Sequence, residues 1–248
     1  AKQCIEQLQD SGNKLGAFIC ESLQGVAGQI IMPQGYLSQT YHLVRAAGGV
    51  CIADEVQVGF GRIGQHMWAF QSQCVIPDIV TLGKPIGNGH PLAAVVTTKE
   101  IADAFVNGME YFNTFGGNPV SCAIGSAVLD VISEEQLQSH ALTAGQYFQA
   151  QLKQLQQQYD IIGDVRGLGL FIGVELVTNS NDKSPATELA QWFTEYFKQH
   201  GILLTTEGPF HNIFKIKPPL AISTQDIDYF LKIFQQGLTD PSAQKLTQ

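Results

Sequence analysis

The chain has 248 residues, 44% of them hydrophobic, so it is long enough to bury a core in one or two domains. Its 22 acidic and 14 basic residues give a formal net charge of −8, which argues against a nucleic-acid-binding surface. No apolar run approaches the roughly 18 residues of a membrane span. We therefore expect neither nucleic acid nor membrane as a partner.

The first half of the chain alternates short apolar runs with helical patterns. The runs are rich in β-branched residues and short enough for strands buried on both faces. This alternation favours an α/β fold with a mostly parallel sheet. The predicted strands cover residues 15–21, 50–53, 79–82 and 92–98, and the predicted helices cover residues 36–47 and 118–132.

The composition changes after Ser133, where a long, polar, Gln-rich helical pattern begins. The pattern that follows predicts a small α+β domain, so we expect one domain over residues 1–133 and a second over residues 134–248. Predicted helices in the second domain cover residues 134–159, 187–200 and 224–237, and predicted strands cover residues 164–176, 202–205 and 213–217.

The cysteines and histidines indicate no metal or disulfide framework. The five cysteines are scattered and form no CxxC pair, which is typical of free thiols in a reducing compartment. The six histidines lack the paired spacing of a zinc site, so no metal is expected. From the thiols we predict a cytoplasmic location.

Two loops carry the residues with the most specific chemistry. Asp54 follows an apolar strand, with Gln57 three residues later, and Lys84 lies in a Gly-rich turn after the next predicted strand. An acid and a lysine at the ends of neighbouring strands are what pyridoxal 5′-phosphate (PLP) requires, since the acid keeps the pyridine nitrogen protonated and the lysine forms a Schiff base. The spacing alone leaves two other roles open: a cap at the end of a strand for Asp54, and an exposed position in a turn for Lys84.

Further motifs in the same order make the pattern specific. Together they resemble the class III aminotransferases of the PLP-dependent fold type I superfamily, and in particular the subgroup of ethanolamine-phosphate phospho-lyases and alanine–glyoxylate type aminotransferases. The motifs are Glu21–Gly25, Asp54–Arg62, Thr81–Gly89, Tyr111–Pro119, Arg166–Gly169 and Lys215–Leu220.

The resemblance implies an architecture and an assembly. Residues 1–133 would be the C-terminal part of the large PLP-binding domain, a mostly parallel sheet with flanking helices, and residues 134–248 the small C-terminal domain. The family is usually longer, so we expect this chain to be the C-terminal part of a larger protein. The resemblance also implies a homodimer with shared active sites.

The resemblance further assigns roles around the cofactor ring. Lys84 would form the Schiff base and then act as the base at the substrate α-carbon. Asp54 would hold the pyridine nitrogen, Val56 would pack on one ring face, and Gln57 would contact the ring hydroxyl. Glu55 is adjacent to Asp54. The ring contact is assigned to Asp54, and not to Glu55, on the basis of the family motif alone.

Other expected site residues lie further from the ring. Glu21 would lie near the pocket, and Thr114 would bind the PLP phosphate of the partner chain. Lys215 stands where many members carry an arginine that holds a substrate carboxylate, and it would bind substrate or be a solvated strand-end lysine. Arg166 would contact substrate or pack at the start of a strand.

The expected function is a transaminase that acts on a small amine or amino acid through Lys84. One alternative is a phospho-lyase that eliminates phosphate from an amino-alcohol phosphate such as phosphoethanolamine. A second alternative is a catalytically inert dimerisation fragment, because part of the cofactor pocket would lie outside this chain.

Overall fold

The computed structural model describes residues 1–179 and 181–246, which divide into two compact units. Unit 1 comprises Ala1–Ser22, Met32–Gly61 and His66–Gln136, and unit 2 comprises Leu23–Ile31, Arg62–Gln65 and Leu137–Gln248. The division into domains between residues 133 and 134 stays a prediction. Among the described residues, no helix is long and apolar enough to cross a membrane.

Unit 1 contains a four-stranded sheet in the order β1-β2-β3-β4. The first three strands are parallel and β4 is antiparallel to β3. The strands are short and apolar, and with the helices they confirm the predicted α/β fold class. They comprise β1 (Ala17–Glu21), β2 (Val50–Asp54), β3 (Ile79–Leu82) and β4 (Ala94–Thr97).

Four helices accompany this sheet. Helix α2 buries Leu37, Tyr41 and Val44 against Cys51 of β2, which is the helical spacing read from the sequence. It ends at Ala46, and two residues later Gly48 has a φ of 85°, a left-handed conformation that glycine adopts without a steric penalty. The helices are α1 (Lys2–Asp10), α2 (Tyr36–Ala46), α3 (Lys99–Phe105) and α4 (Pro119–Glu134).

Unit 2 contains a second sheet, of strand order β5-β6-β8-β7 and antiparallel throughout. Its core is dominated by aromatic rings, with Phe193, Phe197, Phe214 and Phe234 all fully buried. The strands are β5 (Ile162–Leu168), β6 (Phe171–Leu176), β7 (Thr205–Glu207) and β8 (Ile213–Ile216). The helices are α5 (Leu137–Gln158), α6 (Thr187–Gln199), α7 (Thr224–Leu238) and α8 (Pro241–Lys245).

Several elements differ from the sequence prediction. The strand region predicted over residues 164–176 is two antiparallel strands, β5 and β6, and helices α1, α3 and α8 were not predicted. The helix predicted over residues 134–159 begins at Leu137 instead, because Gln136 has a φ of 52° and separates α4 from α5. The strand predicted at residues 202–205 begins at Thr205 instead, where pairing with Lys215 of β8 starts. Leu203, an apolar residue that suggested the strand, is 86% exposed.

Candidate active site

The candidate site lies at the carboxyl ends of three parallel strands. Glu21 ends β1 and pairs in register with Asp54, which ends β2 and pairs with Thr81 of β3. Lys84 follows Thr81 by three residues. Carboxyl ends of adjacent parallel strands meet at one edge of the sheet, which is where open α/β sheets bind their ligands. The strand register therefore brings the predicted acid and the turn of the predicted lysine to one edge.

The structure distinguishes the two adjacent acids. Glu55 is fully buried and accepts hydrogen bonds from Ser22 Oγ (2.5 Å), Ala69 N (2.8 Å) and Phe70 N (2.9 Å). Desolvation raises the pKa of its carboxyl above the ordinary value, partly offset by these hydrogen bonds. Glu55 is thus an anchor between β2 and the turn at residues 69–70.

Asp54 is only half-buried, and its carboxylate has a single hydrogen bond within residues 1–179 and 181–246. Its Oδ1 accepts from the Val56 backbone N–H at 2.9 Å, and the structure gives Oδ2 no partner among these residues. Glu55, the next residue, is fixed in the core. Of the two acids, Asp54 is therefore the one with an oxygen available to a ligand.

Lys84 begins a 3₁₀ turn, Lys84–Gly87, with an unusual backbone. Its φ of 42° lies in the left-handed region, which few non-glycine residues adopt and which recurs at functional sites. The side chain is exposed, and its amine has no hydrogen-bond or ion-pair partner in the described part of the chain. Such an amine is available to react.

Val56 contacts the turn that carries Lys84. A Cβ added at Gly83 would lie 3.5 Å from Val56 Cγ1, so Val56 packs on the residue before the lysine. Gln57 is held beside the strand edge, since its Nε2 donates to Glu21 Oε1 at 3.1 Å. The predicted residues Glu21, Asp54, Val56 and Gln57 thus form one connected edge of unit 1.

Thr114 lies in an exposed loop whose shape depends on asparagines that the sequence analysis did not single out. Asn113 Oδ1 accepts from the backbone N–H groups of Phe115 (3.2 Å) and Gly116 (2.9 Å). Asn118 caps α4 by accepting from Ser121 N. The Thr114 hydroxyl has no partner among the described residues. The Asn-x-x-Gly and Asn-Pro-x-Ser spacings were the available signal for this turn and cap.

Arg166 is committed to contacts within unit 2. Its guanidinium donates to Asp164 and Glu175, both at 2.7 Å, and twice to the Gly28 carbonyl, at 2.7 and 3.0 Å. Four of its five N–H donors are therefore used. Of the two alternatives left open by the sequence, these contacts favour packing over substrate contact.

Lys215 is also paired in unit 2. Its amine donates to Glu207 Oε1 at 2.5 Å, and the two side chains are 24% and 16% exposed. It is therefore not the fully solvated strand-end lysine of the simplest sequence interpretation.

Comparison with known proteins identifies the family. The family model for class III aminotransferases matches residues 1–238. The chain belongs to the class III aminotransferase family. The resemblance predicted from the motifs is confirmed.

Individual relatives agree with this assignment. The chain is 52% identical over 245 residues to an alanine–glyoxylate aminotransferase 2-like protein of Drosophila melanogaster, covering 98% of this chain and 49% of that protein. It is 45% identical over 243 residues to human mitochondrial alanine–glyoxylate aminotransferase 2, covering 96% and 47%. The chain thus spans about half the length of these curated relatives.

A solved structure shares the fold. An Arthrobacter phospholyase in complex with phosphoethanolamine superposes with a TM-score of 0.93 at 40% identity, covering 96% of this chain and 57% of that one. The predicted likeness to both the alanine–glyoxylate and the phospho-lyase proteins is therefore confirmed.

The predicted cytoplasmic location is contradicted by the relatives. The human protein is mitochondrial by name, as are two other curated relatives. The inference failed because unpaired cysteines indicate a reducing environment and do not identify the compartment.

Proposed function

We propose that the complete protein containing this chain is a PLP-dependent transaminase acting on a small amine or amino acid. One observation carries the proposal: an unpartnered lysine amine and a carboxylate with a free oxygen belong to neighbouring strand ends. Lys84 follows β3, and Asp54 ends β2, which pairs with β3 in register. Family membership supports the same chemistry.

The residues present fit PLP. An exposed amine suits the cofactor aldehyde, a half-buried carboxylate suits a protonated pyridine nitrogen, and an unpartnered hydroxyl suits a phosphate. When bound, PLP supplies an electron sink for charge that develops at the substrate α-carbon.

The chain's own residues then take the following roles. Lys84 Nζ would hold the cofactor, and the same amine would take the proton from the substrate α-carbon. Asp54 Oδ2 would accept the pyridine N–H and stabilise its positive charge. Glu55 holds the strand end so that Asp54 faces the ligand. Gln57, held by Glu21, would donate to the ring hydroxyl, and Val56 would pack against the ring.

Thr114 fits a site shared between two copies of the chain. Its hydroxyl would donate to the phosphate of the cofactor bound by the partner. The loop is exposed along with large apolar side chains, a surface typical of protein–protein contacts. These side chains are Val106, Met109, Tyr111, Phe112 and Phe115, each 71–81% exposed. A homodimer would cover this surface and complete both sites.

Phosphate elimination is the second candidate reaction. The likeness to a phospholyase in complex with phosphoethanolamine favours it, and so does a lysine at position 215. A lysine is a point charge and does not reproduce the bidentate fork with which arginine binds a carboxylate. Both reactions begin with the same proton removal by Lys84, so the residues of unit 1 serve either one.

The two reactions leave different products from different substrates. The complete protein, purified with PLP, is incubated either with alanine and glyoxylate or with phosphoethanolamine, and pyruvate and inorganic phosphate are measured. Pyruvate without phosphate release would support the transaminase, and phosphate release would support the phospho-lyase. Lys84→Ala is the control and must abolish either product. A folded protein made of this chain alone that stays colourless with excess PLP, while the complete protein turns yellow, would support the inert fragment.

A further inference from the structure

Two rows of charged residues cross one face of the sheet in unit 2. Residues paired across neighbouring strands project to the same face. One row follows the register Arg166–Gly173–Lys215–Thr205, and the next follows Asp164–Glu175–Ile213–Glu207. The first row therefore carries two cations and the second carries three carboxylates.

The cations differ in how firmly they are held. Arg166 forms ion pairs with both Asp164 and Glu175 and also donates to the Gly28 carbonyl, so its positive charge is neutralised by two carboxylates. Gly173 leaves a gap in the row between Arg166 and Lys215. A Cβ at Gly173 would lie 2.9 Å from Gln29 Cβ, so the neutral Gln29 covers this gap.

Lys215 depends on one counterion. Its ion pair with Glu207 is the only one that the structure gives it within residues 1–179 and 181–246. Both side chains keep some exposure, 24% and 16%, so a ligand can reach the pair. A substrate anion that binds Lys215 must compete with the Glu207 carboxylate at hydrogen-bond distance.

We propose that Glu207 is a specificity-determining residue that sets the affinity of Lys215 for the anionic group of the substrate. This rests on the proposed function and on the substrate-binding role that the family resemblance implies for Lys215. The substrate class is an amine that carries a carboxylate or phosphate group. Glu207 lowers the affinity for such groups because the Lys215–Glu207 pair must open first, and the displaced carboxylate then repels the bound anion.

The test measures anion binding directly, apart from turnover. Calorimetric titration with inorganic phosphate is performed on the PLP-treated protein and its Glu207→Gln variant. Glu207→Gln should bind phosphate about twofold to fivefold more tightly, the range expected for releasing a partly exposed ion pair. The gain must disappear when Lys215→Met is added. Glu195→Gln, which removes an exposed carboxylate in unit 2 that is paired with Lys198, should leave phosphate binding unchanged.

Kinetics separate this inference from the proposed function. In Glu207→Gln, the KM for an anionic amine substrate should fall about twofold to fivefold with little change in kcat. Glu207→Asp keeps the charge and serves as the second variant if Glu207→Gln does not fold. Unchanged or weaker phosphate binding in a folded Glu207→Gln protein would overturn the role of Glu207. Absence of PLP binding and turnover in the wild type would instead overturn the proposed function, while the phosphate titration would still decide the role of Glu207.

Discussion

Replacement of Glu55 by glutamine tests the buried hydrogen bonds that fix the backbone next to Asp54. The carboxylate accepts two backbone N–H groups, from Ala69 and Phe70, and one hydroxyl, from Ser22. A glutamine of the same shape offers only one oxygen. Whichever way the amide is turned, one backbone N–H faces another donor and loses its acceptor.

The magnitude follows from this unsatisfied donor. Leaving a buried N–H without an acceptor costs about 1–3 kcal/mol. The remaining bonds also lose their charge assistance, whereas the removal of a buried charge offsets part of this loss. We expect Glu55→Gln to lower the free energy of unfolding by about 1–3 kcal/mol. Chemical denaturation at neutral pH measures this, with the exposed Glu110→Gln as the matched control. A Glu55→Gln protein as stable as wild type would refute the reasoning.

The same residue predicts a pH dependence. Because the folded pKa of Glu55 is raised above its ordinary value of 4.5, the folded state binds more protons than the unfolded state between the two pKa values. Stability from this group therefore falls as pH rises through that window. Denaturation across the acid range should show this downward slope in wild type and its absence in Glu55→Gln, whereas an identical pH profile in the two proteins would contradict the prediction.

Three further predictions concern the site and the core. Asp54→Asn should lower kcat at least about 10²-fold while Lys84 still attaches PLP, since the ring nitrogen loses its anionic partner; near-normal turnover would remove Asp54 from this role. Thr114→Ala should weaken PLP binding roughly 10- to 100-fold, the equivalent of one charge-assisted hydrogen bond, and unchanged affinity in a PLP titration would place this loop elsewhere. Phe193→Ala should lower the free energy of unfolding by about 3–5 kcal/mol, because the buried ring packs on Phe197, Phe214 and Phe234; a loss below about 1 kcal/mol on denaturation would contradict the packing.

Local patterns predicted the elements that carry the site. Apolar runs predicted β1, β2 and β3, and strand alternation with helices predicted the parallel arrangement that places Asp54 near the Lys84 turn. The antiparallel direction of β4 was not predicted, since a short apolar strand looks the same in either direction. Likewise, Leu203 suggested a strand over residues 202–205. The observed strand, β7, begins only at Thr205, where pairing with Lys215 starts, and ends at Glu207.

Pairings between residues distant in sequence were not predictable. Nothing in the spacing indicated that Glu55 would accept from Ser22 and Phe70, or that Glu207 would neutralise Lys215. The Leu23–Ile31 segment joins unit 2 although the strands before and after it belong to unit 1. The Gly28 carbonyl in this segment accepts a hydrogen bond from the Arg166 guanidinium. No pattern in the sequence indicated this contact.

The central claim is that Lys84 is the lysine that holds PLP, and covalent labelling tests it most directly. The protein is incubated with PLP and reduced with borohydride, and the labelled peptide is then mapped. We predict one labelled peptide containing Lys84, and no label at that position in Lys84→Ala. A label on another lysine at stoichiometric yield, or none on a folded protein saturated with PLP, would contradict the account.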